Sequence, residues 1–360
     1  MTAGPRRRAF LKSGLAVVAG LAGVACAAPQ LGARPPQREP HIAEHYLVHT
    51  NLEYAAAAGR GHLLDLYVPL AAAGPVPLVL FIMGSAFRND DTKGKALGDG
   101  DGVEPDDRPT AGGMIDAPRL AAQWVPRGYA VAGVNVRSSS QVTFPGQVHD
   151  IKAAIRFLRA HAGEYGLDPG RFATMGNSSG GWVATMAATT SGIADLEGDL
   201  GNRDQSSAVQ AAIDLFGPTD FLAMDAHRLP DGQVHDEPGS PESQLMGFPI
   251  QTNRAAVEKA NPASYVRVDS PPLFITHGTT DPLVPANQSE LLFQACVRAG
   301  ATATLALLPG VGHTDAYLYA PNYSPGRIVT HTRGGVVTTG VDPAPTFDTL
   351  LTFLDEHLRA

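Results

Sequence analysis

Gly176-Asn177-Ser178-Ser179-Gly180-Gly181 decides how the rest of this chain is read. It follows the apolar run Phe172-Ala173-Thr174-Met175 and leads at once into Trp182-Val183-Ala184-Thr185-Met186-Ala187-Ala188, which has helical composition. A G-x-S-x-G pattern between a strand and a helix places its serine on a sharp turn with the hydroxyl exposed. The glycines have a steric reason, since side chains two residues either side of the serine would collide with the adjoining strand and helix. Only Ser178 has glycine at both of those positions, because Ser179 has Asn177 in place of the first. The other reading of the stretch is a glycine-rich strand-helix turn in which serine merely caps the helix.

Outward from this turn, apolar segments alternate with amphipathic ones. Leu63 to Val68, Leu78 to Met83, Tyr129 to Val136, Phe172 to Met175, Val209 to Phe216, Leu273 to Thr276 and Thr304 to Leu308 read as strands. Several are nearly continuous runs of Val, Ile, Leu and Ala, the pattern of parallel strands covered on both faces. Val148, Ile151, Ile155, Leu158 and Ala162 form one apolar helical face, with Lys152, Arg156 and Arg159 on others. Further helices fit Ala117 to Val125, Gly180 to Thr189, Ala286 to Ala299 and Thr346 to His357. The expected fold class is therefore α/β, a mostly parallel sheet flanked by helices on both faces, in one domain spanning 41–360.

Two stretches break the alternation. Arg88 to Asp116 is a long, glycine-rich, acidic segment directly after a strand, and could cover a pocket. Tyr317 to Pro345 contains two β-prone runs flanking Gly334-Gly335, a hairpin signal, and could form part of a pocket wall. Asp99-Gly100-Asp101-Gly102 begins like a calcium loop but lacks its later ligands, so it reads as solvated loop and no metal is expected.

A serine hydroxyl needs a base, and the chain order that accompanies such a turn is serine, acid, histidine. His277-Gly278-Thr279-Thr280-Asp281 follows the strand ending at Thr276, and Pro309-Gly310-Val311-Gly312-His313 follows the last of the buried strands. Both loops fall at the carboxyl edge of the sheet, where α/β proteins bind ligands. Among 12 histidines, His313 is singled out by its glycine-flanked loop and its place in that order. Asp281 is the expected acid, Asp315 and Asp269 are its rivals, and His277, ending a strand, reads as structural. A tetrahedral intermediate also needs preorganised N–H donors. One would be the backbone amide of Ser179, and the other would come from Gly84 or Ser85 in the loop Met83-Gly84-Ser85-Ala86-Phe87-Arg88.

Composition narrows the partners. A 360-residue chain with 44% hydrophobic residues can bury a large core. A formal net charge of -8, with no Lys/Arg run beyond the extreme N-terminus, leaves no basic surface for nucleic acid. That N-terminus, Arg6-Arg7-Arg8-Ala9-Phe10-Leu11-Lys12 ahead of an apolar run from Leu15 to Ala25, reads as an export signal of twin-arginine type over 1–27. Residues 28–40 read as a flexible linker, and the apolar run is too short for a stable membrane span. Ala25-Cys26-Ala27 fits cleavage, while Val24-Ala25-Cys26 fits a lipoprotein box that would anchor the chain at Cys26. Either outcome leaves Cys296 as the only thiol of an extracytoplasmic domain, which rules out an internal disulfide there.

With those residues in place, the chain resembles the esterase/lipase group of α/β hydrolases, in particular the feruloyl-esterase-like carboxylesterases related to prolyl-oligopeptidase-type hydrolases. The resemblance extends over nearly all of 41–360. It includes Phe144-Pro145-Gly146-Gln147-Val148-His149-Asp150, Gly217-Pro218-Thr219-Asp220-Phe221 and Ser240-Pro241-Glu242-Ser243. Two departures stand out: Met83-Gly84-Ser85 where such enzymes usually have His-Gly-Gly, and Ser179 where alanine is usual. The resemblance implies a serine carboxylic-ester hydrolase without cofactor, acting on a small-molecule or polysaccharide-linked ester, and the N-terminal signal makes it a secreted one. Its rivals are a serine peptidase of the same fold and a non-catalytic binding protein that kept the fold.

Overall fold

Alternation along a single strand shows how the core is divided. In Val76–Ile82, Leu78, Leu80 and Ile82 pack into one cluster of buried apolar side chains, while Val79 and Phe81 pack into a second. Successive side chains of a strand point to opposite faces, so a sheet buried on both sides needs an apolar residue at every position. That accounts for the unbroken hydrophobic runs. The computed structural model describes residues 1, 39–43, 46–56, 58–94, 114–319, 328–341 and 345–359. The expected export signal, most of the linker with Cys26, the aspartate-glycine run at 99–102 and most of the 88–116 insertion lie outside the described residues.

The strands are β1 (His41–Ala43), β2 (Tyr46–Glu53), β3 (Leu63–Pro69), β4 (Val76–Ile82), β5 (Ala130–Val134), β6 (Leu167–Asn177), β7 (Ala211–Leu215), β8 (Leu273–Gly278), β9 (Ala303–Leu308), β10 (Ile328–Arg333) and β11 (Val336–Gly340). They form one sheet in the order β1-β2-β3-β5-β4-β6-β7-β8-β9-β10-β11. From β5 to β9 every pairing is parallel. The outer strands at both ends pair antiparallel. β1 and β2 escape sequence reading because they belong to this antiparallel margin, where polar residues such as His49, Thr50 and Asn51 interrupt the apolar run. The hairpin expected around Gly334-Gly335 is present, and its first strand continues the sheet beyond β9, with His331 opposite Thr304.

One face of the sheet carries the helices Gly146–Ala160, Ser179–Thr189 and Asn287–Ala299, and the other carries Ala117–Trp124 and Phe347–Leu358. No helix among the described residues is long and apolar enough to cross a membrane. The charged residues expected on outer faces of Gly146–Ala160 depart from that expectation, because Lys152 and Arg156 are buried. Lys152 Nζ donates to the Thr190 carbonyl (2.6 Å) and to Glu197 Oε1 (2.9 Å), and Arg156 Nη2 donates to the Leu200 carbonyl (2.6 Å). The chain around 190–201 folds over this face, and long cationic side chains satisfy its carbonyls.

A second feature without a sequence signal is the excursion between β7 and β8, which holds only short helical turns such as Pro241–Met246 and Arg254–Glu258. Trp182, in the helix that follows the glycine-rich turn, fastens it down. Its indole Nε1 donates to the Ala260 carbonyl (2.7 Å), and its ring packs against Phe87, Phe144 and Phe221 at centroid distances of 5.4, 6.1 and 5.8 Å. Trp182→Ala is expected to cost about 3–5 kcal/mol, because a large cavity and an unpaired carbonyl are left together. A urea unfolding curve checks this, and a midpoint equal to that of the parent would refute it.

Candidate active site

Ser178 follows β6 directly and sits at φ 54° and ψ -130°, a conformation that L-residues rarely adopt. The glycines around it are there for space. A Cβ on Gly176 would lie 2.2 Å from the Gly180 carbonyl oxygen, and one on Gly180 would lie 2.0 Å from that of Ile82. Of the six non-glycine residues with positive φ among the described residues, four are at this site: Ala86, Phe87, Ser178 and Phe216. Local strain of this kind, of order 1–3 kcal/mol each, persists only where the surroundings over-determine it.

The loops after β8 and β9 bring two further side chains to Ser178. His313 Nε2 lies 2.9 Å from Ser178 Oγ, and His313 Nδ1 lies 2.7 Å from Asp281 Oδ2. The other oxygen of Asp281 accepts the backbone N–H groups of Leu283 (2.8 Å) and Val284 (2.9 Å). Burial alone would push the Asp281 carboxyl up, but hydrogen bonds from His277 and His313 outweigh it and hold the group well below the usual carboxylate range. An ionised carboxylate can only accept, so the imidazole proton sits on His313 Nδ1 and Nε2 is left to accept the Ser178 hydroxyl. The Phe216 ring stands edge-on to the imidazole, 4.7 Å between centroids, and limits its rotation.

The rival acids have other surroundings. Asp269 is exposed and pairs with Arg267 at 3.1 Å. Asp315 is fully buried, accepts from the Ile115 N–H (3.0 and 3.1 Å) and from Asn177 Nδ2 (2.8 Å), and makes no hydrogen bond to His313. His277 braces the acid loop. Its Nε2 donates to the Val284 carbonyl (2.9 Å) and lies 3.4 Å from Asp281 Oδ2, which leaves Nδ1 to accept the Ser289 hydroxyl at 2.7 Å.

A family model named BD-FAE matches residues 109–296, a little over half of the 360-residue chain. The chain belongs to the BD-FAE family. The matched span contains Ser178 and Asp281 and ends before His313. Two curated relatives, both from Mycobacterium tuberculosis (strain ATCC 25618 / H37Rv), are each 28% identical. "Probable carboxylic ester hydrolase LipM" aligns over 64% of this chain and 48% of its own length, and "Esterase LipQ" over 76% and 60%. This chain thus spans about half to three fifths of those relatives. A solved structure described as a truncated form of carbohydrate esterase from gut microbiota superposes with a TM-score of 0.69 at 27% identity, covering 90% of this chain and all of that one. The fold is the α/β-hydrolase fold.

In this BD-FAE member the loop after β4 differs from expectation at Gly84. Its N–H donates to Asn177 Oδ1 (2.6 Å) and is thereby removed from the expected set of oxyanion donors. Its contribution is steric: a Cβ there would lie 2.6 Å from Ser178 Cβ, so only glycine lets the loop come this close. The Ser85 N–H, the other expected donor of this loop, is likewise engaged, donating to Ser179 Oγ at 2.9 Å. The Ser179 N–H is the first amide of its helix and has no acceptor within that helix. Sequence reading missed two side chains here, Asn177 and the Ser179 hydroxyl, although both flank Ser178 in the motif.

The depressed Asp281 carboxyl sets a sign for pH dependence. Its contribution to stability is fully present above the unfolded-state value of about 4 and is lost as pH falls from there toward the folded-state value. Urea midpoints of the parent and of Asp281→Asn, compared from pH 6 down to pH 3, should move against the parent as the pH drops below about 4. A pH-independent difference would show that the carboxylate is not held ionised by these contacts.

Proposed function

We propose that this chain is a serine carboxylic-ester hydrolase that works through an acyl-enzyme on Ser178. The observation that carries the proposal is the unbroken hydrogen-bonded series Ser178 Oγ, His313 Nε2, His313 Nδ1, Asp281 Oδ2. His313 takes the Ser178 proton as the oxygen attacks the ester carbonyl, and Asp281 holds the required tautomer and stabilises the imidazolium. The Ser179 N–H meets the developing oxyanion. Collapse of the tetrahedral intermediate releases the alcohol, which takes the proton from His313, and water then repeats the sequence to release the acid. This chemistry needs neither a metal nor an organic cofactor.

An ester substrate is supported by two relatives that carry ester-hydrolase names and by a similar solved structure described as a carbohydrate esterase. A small or polysaccharide-linked ester fits best. A panel of a short-chain aryl ester, an acetylated or feruloylated polysaccharide and an aminoacyl anilide tests it, with turnover of the esters expected and of the anilide not. Anilide turnover alone would make the protein a peptidase, and no turnover at all would make it a binding protein.

Ser178→Ala is expected to lower kcat on the order of 10⁶-fold with the fold intact, and Asp281→Asn by roughly 10⁴-fold with little change in KM. Asp269→Asn should leave the rate near that of the parent. A fluorophosphonate label should map to Ser178, and a label on Ser179 would sink the assignment.

The N-terminal sequence supports export by the twin-arginine route, ending with Cys26 either removed or lipidated. Replacing Arg7 and Arg8 by Lys should leave precursor inside the cell, as fractionation would show. Undiminished secretion of that variant would remove the argument for this route.

A further inference from the structure

We infer that Asp315 is a positioning residue of the loop after β4, acting through Asn177 to hold Gly84 against the reacting serine and, with it, Ser85, whose N–H donates to Ser179 Oγ. The inference rests on the proposed esterase reading only for its kinetic consequence, since the hydrogen bonds themselves are independent of any substrate. Asp315 lies two residues beyond His313, is fully buried, and pairs with no Lys or Arg among the described residues. Burying a carboxylate without a cation is costly. Burial pushes it up to about 6, against the hydrogen bonds from Asn177 and Ile115. Each oxygen nevertheless has a donor, the Ile115 N–H being shared between both and Asn177 Nδ2 meeting Oδ2.

The consequence for Asn177 is geometric. A side-chain amide has a donor end and an acceptor end, and which faces which neighbour is fixed by the partners. Here Nδ2 donates to Asp315 Oδ2 (2.8 Å) and to the Ile115 carbonyl (3.1 Å), which turns Oδ1 toward the Gly84 N–H at 2.6 Å. Without the carboxylate the amide could rotate, and its NH₂ group would then face the Gly84 N–H, donor against donor. The loop has little slack to absorb this, since a Cβ on Gly84 would already lie only 2.6 Å from Ser178 Cβ. Any retreat of Gly84 carries Ser85 with it. A displacement of about 1 Å at a reacting centre can cost on the order of 10²-fold in rate.

Asp315→Ala and Asn177→Ala, singly and together, test this with the full chain and a short-chain aryl ester. Each single variant is expected to lower kcat about 10- to 100-fold with KM within about twofold, effects typical of a disturbed oxyanion site. The double variant should be no slower than Asn177→Ala alone, because Asp315 acts only through that amide. Hydrogen exchange at the Gly84 and Ser85 amides should quicken in Asp315→Ala, a readout that needs no activity. Should that variant fail to fold, Asp315→Asn, which keeps the size of the side chain, should show the same two changes at smaller amplitude. Unchanged kcat with unchanged exchange would overturn the inference, as would losses that multiply in the double variant. A parent without turnover, but with exchange quickened in the variants, would remove the esterase reading and leave the positioning role standing.

Discussion

A serine at φ 54° between glycines whose added methyls would sit 2.0 to 2.2 Å from neighbouring carbonyl oxygens tolerates no rearrangement of the backbone around it. The strand β6 and the helix Ser179–Thr189 meet there with almost no separation, and the loop after β4 closes the third side. Such a turn is stable only when clamped, because a residue in this region of backbone space costs of order 1–3 kcal/mol. The clamp is the sheet itself. The Ser178 N–H donates to the Leu215 carbonyl of β7 (2.8 Å), and β4 lies parallel to β6 with Ile82 opposite Gly176. Every other element of the site is placed relative to this point: the loops that carry Asp281 and His313 leave the carboxyl ends of β8 and β9, further along the same parallel edge.

That dependence explains what was legible in the sequence. The parallel centre could be read because each of its strands is apolar on both faces, and the turn could be read because glycine spacing records a steric requirement that acts within a few residues. The antiparallel margin was partly illegible for the converse reason: β2 must leave His49 and Asn51 along its length, and a mixed pattern does not distinguish a strand from a loop. The excursion between β7 and β8 left no periodic signal, since it is held by single contacts such as Trp182 to the Ala260 carbonyl rather than by a continuous apolar face. At the site, the meeting of Ser178, His313 and Asp281 in one hydrogen-bonded series was legible from local loops and chain order. The reach of Asn177 across 93 positions to Gly84, and across 138 to Asp315, was not, because nothing local marks an amide whose partners are that distant.

Three aspartates competed in sequence for one role, and what separates them is the donors each receives rather than how deep each lies. Asp269 is exposed beside Arg267 and reaches no histidine. Asp281 and Asp315 are both shut away from water, near the same imidazole, yet burial is overcome in the first and prevails in the second. Asp281 collects two backbone amides and the nitrogens of two histidines, so its charge is met on every side. Asp315 collects one backbone amide and one neutral side-chain amide, which is too little to offset the loss of water. Pushing two neighbouring carboxyl groups in opposite directions assigns them different work. The carboxylate hydrogen-bonded to His313 can stabilise a positive imidazole, whereas the one that meets no histidine is placed to fix the direction of the Asn177 amide.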